Sequence, residues 1–119
     1  MLKHWVAKVV FLTAKLLIRM SIFPNLFKEF VAAYSIGEGT QAYNENRYKD
    51  ALKILKPVAD YQIADPYVGR AQYIVGLLYL HGLGTTRNTV YAEHYFTEAA
   101  RRGNDEAKKY ILKTKGGNS

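Results

Sequence analysis

Apolar positions along this chain recur at helical spacing, and proline, asparagine and glycine punctuate them. Asp65-Pro66 predicts a helix start: the carboxylate can accept orphan N–H groups, and proline sits where no N–H is needed. The helix it opens is expected to run to about His81. Gly82 and Gly84 then stop it, because glycine reaches left-handed backbone angles at little steric cost. Asn88 can cap a second helix through about Arg102, Gly103 ends that one, and Asn104 or Asp105 can cap a third reaching about Lys113. Sustained apolar–polar alternation is missing throughout, so the expected class is all-α.

Small and aromatic residues in this region return at a fixed order. Ala71, Val75-Gly76, Tyr79, Gly82, Gly84, Ala92, Tyr95-Phe96, Ala99-Ala100 and Gly103 precede Ala107, which lies 36 residues after Ala71 and opens another Ala-rich helical start. Small residues where helices touch, aromatics filling a core and glycines at the turn are what a helix-turn-helix solenoid unit needs. The segment resembles the Sel1-like repeat, a relative of the tetratricopeptide repeat. Val75, Thr85, Asn88, Tyr91, Tyr95 and Glu98 stand where that family carries Leu, Val, Asp, Lys, Trp and Lys, so the helical frame is kept and the surface charge differs. Gly39, Ala42-Tyr43, Tyr48, Ala51-Leu52 and Leu55, with an Asn44-Glu45-Asn46-Arg47 turn and a second helix at about 48 to 61, form an earlier and weaker unit.

Two units leave an apolar end exposed, since each repeat buries its face only against a neighbour. The N-terminal region is the expected cover. Between Trp5 and Phe27 it is dominated by large apolar residues, and His4, Lys8, Lys15 and Arg19 fall within one narrow stripe at about 100° per residue. Pro24 should end this helix at or before Phe23, with Asn25 opening the next. Three readings of the segment stand: a helix packed on the repeats, a helix in a membrane interface, and a signal or anchor. Its uncharged runs fall well short of the about 20 residues of a bilayer span. The expected architecture is a short α-α solenoid of about two repeats with an N-terminal apolar capping helix. Residues 1–34 hold that helix and the start of the next, 35–113 the two-unit domain, and 114–119 a flexible tail.

Charge sharpens this picture. The chain carries +7, of which residues 1–28 supply five basic and no acidic side chains. A local excess of that kind favours acidic partners or anionic lipid, with Lys8, Lys15 and Arg19 as the contacts. A second basic cluster, Arg101, Arg102, Lys108, Lys109, Lys113 and Lys115, reads as the solvated face of the last helix. A recognisable nucleic-acid module is missing, so nucleic acid is not expected as a partner. The chain has no cysteine, which excludes thiolate metal sites and disulfides.

Catalytic chemistry finds little support. His4, His81 and His94 are not paired at i, i+4 spacing, and Glu93-His94 with Glu98 reads as a solvated repeat face. The Gly82-Leu83-Gly84 turn follows a helix and lacks the lysine and hydroxyl of a nucleotide loop. No catalytic residue, metal or cofactor is expected. The resemblance implies a non-enzymatic bacterial-type adaptor that binds a protein or peptide on its concave face. Aligning Gly39 with Gly76 puts Ile36, Thr40, Tyr43, Arg70, Tyr73, Leu77 and Leu80 on that face. Val75, Tyr79, Ala92, Tyr95, Phe96, Ala99 and Ala100 are assigned to the core. The alternatives are an immunity protein neutralising a cognate toxin and a membrane-surface accessory anchored through residues 1–23. Two chains exchanging N-terminal helices would form a homodimer. A cytoplasmic or inner-membrane-associated location is favoured, and a periplasmic one follows if the N terminus acts in export.

Overall fold

The structure, a computed structural model, describes residues 6–13, 15 and 24–116. The described residues form helices and turns without a strand: α1 (residues 6–13), α2 (Pro24–Asn44), α3 (Tyr48–Ala59), α4 (Pro66–His81), α5 (Thr89–Arg101) and α6 (Asp105–Gly116). Helices α2 and α3 pack as one hairpin and α4 and α5 as the next. Helix α4 also packs on α3 and α2, and α6 packs on α5. This is a short α-solenoid in which α6 occupies the place of a third unit's first helix.

The ends of the helices follow their capping residues. Asp65, in extended conformation, accepts from Tyr67 N at 2.7 Å, and Pro66 takes the first helical position. Gly82 closes α4 in the left-handed region at φ 62°. Asn88 accepts from Tyr91 N at 2.9 Å to open α5, and Asn104 accepts from Ala107 N at 2.9 Å to open α6. The α4–α5 turn also binds the two hairpins together. Gly84 has φ +71°, and a Cβ there would lie 2.6 Å from Lys49 N, so the turn rests directly on the first residues of α3.

Small residues set the helix crossings. Ala42, Ala51, Ala71, Ala92, Ala99 and Ala107 are fully buried, and Leu55, Val68, Val75, Leu78 and Phe96 fill the space between them. Gly76 was expected where two helix backbones meet. Instead, its missing side chain makes room for the Phe96 ring, whose Cε1 would be 2.8 Å from an added Cβ.

The link from Asp60 to Asp65 is held by polar contacts that reach across the chain. Asp60 accepts from the Tyr95 hydroxyl at 2.8 Å and pairs with Lys56 at 3.1 Å. Gln72, buried, donates to Ala59 O at 3.0 Å. The Arg102 guanidinium donates to Tyr61 O, Ile63 O, Gln72 Oε1 and Glu98 Oε2 at 3.3–3.4 Å. Sequence places Arg102 in a solvated basic face, whereas in the structure its side chain is only 16% exposed. It is an internal brace, because buried backbone carbonyls need donors and a guanidinium can serve several at once.

Helix α2 begins at Pro24, one residue before the expected start at Asn25, and continues past residue 34 to Asn44, and α6 runs to Gly116. The described residues of the N-terminal segment, 6–13 and 15, are all exposed. They make no cover for the repeats in this structure, contrary to the expected capping helix, and the rest of residues 1–23 lies outside the described residues.

Candidate protein-binding groove

Helices α2 and α4 enclose an open groove of about 450 Å³ lined by Ile36, Gly37, Thr40, Gln41, Asn44, Glu45 and Arg70. Its floor is apolar, since Ile36 is only 6% exposed. Its polar groups divide into occupied and available ones. Gln41 donates to Glu45 at 2.9 Å, and Glu45 also accepts from Arg47 at 2.8 Å, which together hold the Glu45 carboxyl below the usual carboxylate range. Arg70 is exposed and has no hydrogen bond or ion pair among the described residues. Thr40 Oγ1 is buried without a partner. A guanidinium with unused donors beside an apolar floor can receive a carboxylate or a run of backbone carbonyls.

Three of the residues expected on the concave face, Ile36, Thr40 and Arg70, meet in this groove. Tyr43, Tyr73, Leu77 and Leu80 do not line it; they are half-buried against the core. The Tyr43 ring lies edge-on to Tyr48 at 5.6 Å, and the Tyr73 ring is 5.8 Å from Phe96. Burial, and then the nearby Glu106 carboxylate and Tyr43, push the Tyr73 hydroxyl above its usual value. The expected basic contacts lie elsewhere: Lys8 and Lys15 are exposed, Lys15 Nζ sits 5.2 Å from the Phe11 ring centroid, and Arg19 is outside the described residues.

A second groove of about 360 Å³ was not anticipated. It runs along α3, where Lys49, Lys53 and Lys56 share one side with Leu52 and Pro57, and Gly84 and Asp60 complete the wall. The i, i+4, i+7 spacing of Lys49, Lys53 and Lys56 puts them on one helix face, whereas the repeat register points to the first helix of each unit. Of the residues considered for acid–base work, Glu98 pairs with Arg101 at 3.1 Å and Arg102 at 3.4 Å. Among the described residues, no cluster of three or more His, Asp or Glu side chains is gathered, and no helix is long and apolar enough to cross a membrane.

The stacked antiparallel hairpins, the small residues at their crossings and the glycine turn at 82–84 define a helical-repeat protein of the short α-solenoid class. Residues 69–104 match the model of the Sel1 repeat family, so α4, α5 and the turns around them are a Sel1 repeat. Neither a curated protein nor a solved structure matches the chain. Sel1 repeats are in general non-catalytic modules for protein–protein binding.

Proposed function

We propose that this protein is an adaptor that recognises a partner protein in the α2–α4 groove. The observation that carries the reading is the groove itself in a chain bearing a Sel1 repeat: an uncommitted Arg70 beside the Ile36 floor, with Thr40 and Asn44 along the wall. Arg70 supplies a charged, directional bond to an acidic side chain or a helix C-terminus of the partner. Ile36 supplies apolar contact. Tyr43, Tyr73, Leu77 and Leu80 support the same face from positions locked by packing, so little rotamer freedom is lost on binding.

A photo-crosslinking residue placed in turn at Gln41, Asn44 and Lys53 tests this reading in cells. Expected is one discrete crosslinked band from Gln41 and Asn44, absent from Lys53 in the α3 groove and abolished by Arg70→Glu. Crosslinks that form only from Lys53 would move the binding site to α3.

A further inference from the structure

Helix α2 buries an unusual face. Its inward side is built from Ala32, Ile36, Gly39 and Ala42, with an added Cβ at Gly39 falling onto Leu55. Leu26, Phe30, Ala33, Tyr34, Gly37, Gln41 and Asn44 fall within an arc of about 100° on the opposite side at 100° per residue. All seven are exposed, none is charged, and Leu26, Phe30 and Tyr34 are 46%, 61% and 66% exposed. The middle of the stripe is Gly37, where an added Cβ would meet nothing. Soluble monomers rarely leave large apolar side chains contiguous on one helix face.

The same chain exposes a second apolar surface that matches it. On α1, Val6, Val9 and Val10 share one side with Thr13, and Lys8 and Lys15 lie on the other beside Phe11 and Leu12; the three valines are 41–61% exposed. Eight residues of helix rise about 12 Å, and the α2 stripe from Leu26 to Gly37 rises about 16 Å, so one can lie along the other. With the valines on the stripe, Lys8 and Lys15 stay on the outward side of α1 and keep their charges in water, so no buried charge opposes the contact. In this structure the chain's own α1 does not cover its α2, since both surfaces are exposed.

We propose that two copies of this chain pair by exchanging α1, each laid along the α2 stripe of the other across Ala33 and Gly37. The reciprocal contact closes with two-fold symmetry and buries both apolar surfaces at once. Small residues at the crossing let the two helix backbones approach closely. The inference does not rest on the groove reading, and it leaves the Thr40, Asn44 and Arg70 end of the groove open to a partner.

Sedimentation equilibrium on the full chain gives the first test, with a mass twice the 13.5 kDa of one chain expected. Gly37→Met fits the isolated chain because the space there is empty, so its helicity should be unchanged while the dimer dissociation constant rises by roughly tenfold or more. The chain has no cysteine, so mixing Val10→Cys chains with Ala33→Cys chains gives a clean second readout. A disulfide-linked pair is expected from that mixture. A wild-type chain that stays monomeric, alone or bound to phosphatidylglycerol vesicles through α1, overturns the proposal. So does a dimer indifferent to Gly37→Met, or a mixture of Val10→Cys and Ala33→Cys chains that yields no disulfide between the two variants.

Discussion

Replacing Gly76 with valine tests how tightly the Sel1 repeat is packed. Even the first added atom would sit 2.8, 2.9 and 3.1 Å from three atoms of the Phe96 ring. That ring is fully buried and is backed by Tyr110, whose centroid is 4.2 Å away, and by Tyr73 at 5.8 Å. It has no free volume to move into, so relief requires shifting all three rings. Overpacking of this kind costs about 1–3 kcal/mol. Valine regains only about 0.4 kcal/mol over glycine in helix propensity. A net loss of about 2 kcal/mol is therefore expected, which lowers the melting temperature by about 6–12 °C for a chain of this size. Thermal denaturation followed by circular dichroism reads this directly. Phe96→Leu should relieve the clash, so the double variant should be more stable than the two separate losses imply, by about 1 kcal/mol. An unchanged melting temperature for Gly76→Val, or strict additivity with Phe96→Leu, would refute the packing argument.

Three further outcomes follow from the polar contacts. Tyr95→Phe removes the donor to Asp60 and should cost about 1–2 kcal/mol in urea denaturation. Burial, and then the bond to Asp60, raise the Tyr95 hydroxyl well above its ordinary value, so the unfolded chain loses that proton first. Stability should accordingly be full below about pH 10 and fall as pH rises beyond it, with a smaller fall in Tyr95→Phe. Arg102→Met should leave the carbonyls of Tyr61 and Ile63 without their side-chain donor; amide exchange should accelerate across residues 60–65 before it does in α4, and uniform exchange would contradict the brace. Asn88→Ala should destabilise the chain by about 1 kcal/mol through loss of the α5 cap, and a neutral result would show the cap to be replaceable by water.

The C-terminal half of the fold was legible in the sequence because its signals are local. Asp65-Pro66, Gly82, Asn88, Gly103 and Asn104 act within three or four residues, and each marks a helix end. Helix α2 was harder to read for a physical reason. Apart from Ile36, its buried side is made of Ala32, Gly39 and Ala42, residues too small to register as apolar, while Leu26, Phe30 and Tyr34 project outward. Hydrophobic periodicity therefore pointed away from the core along this helix. Arg102 was hidden differently, since its carbonyl partners lie 39 and 41 residues earlier and no local pattern could reveal them. Of the candidate site, the repeat alignment supplied Ile36, Thr40 and Arg70. It could not separate them from Tyr73, Leu77 and Leu80, which share the register but turn into the packing.

The central claim is that the α2–α4 groove binds a partner protein through Arg70. Affinity of the purified chain for the protein captured from Gln41 or Asn44 tests it most directly, measured by calorimetry for the wild type, Arg70→Ala and Lys53→Ala. Arg70→Ala should weaken binding by roughly tenfold, equivalent to about 1.4 kcal/mol, with helicity unchanged, while Lys53→Ala binds as the wild type does. Equal affinity of Arg70→Ala and the wild type, or a loss confined to Lys53→Ala, would contradict the account.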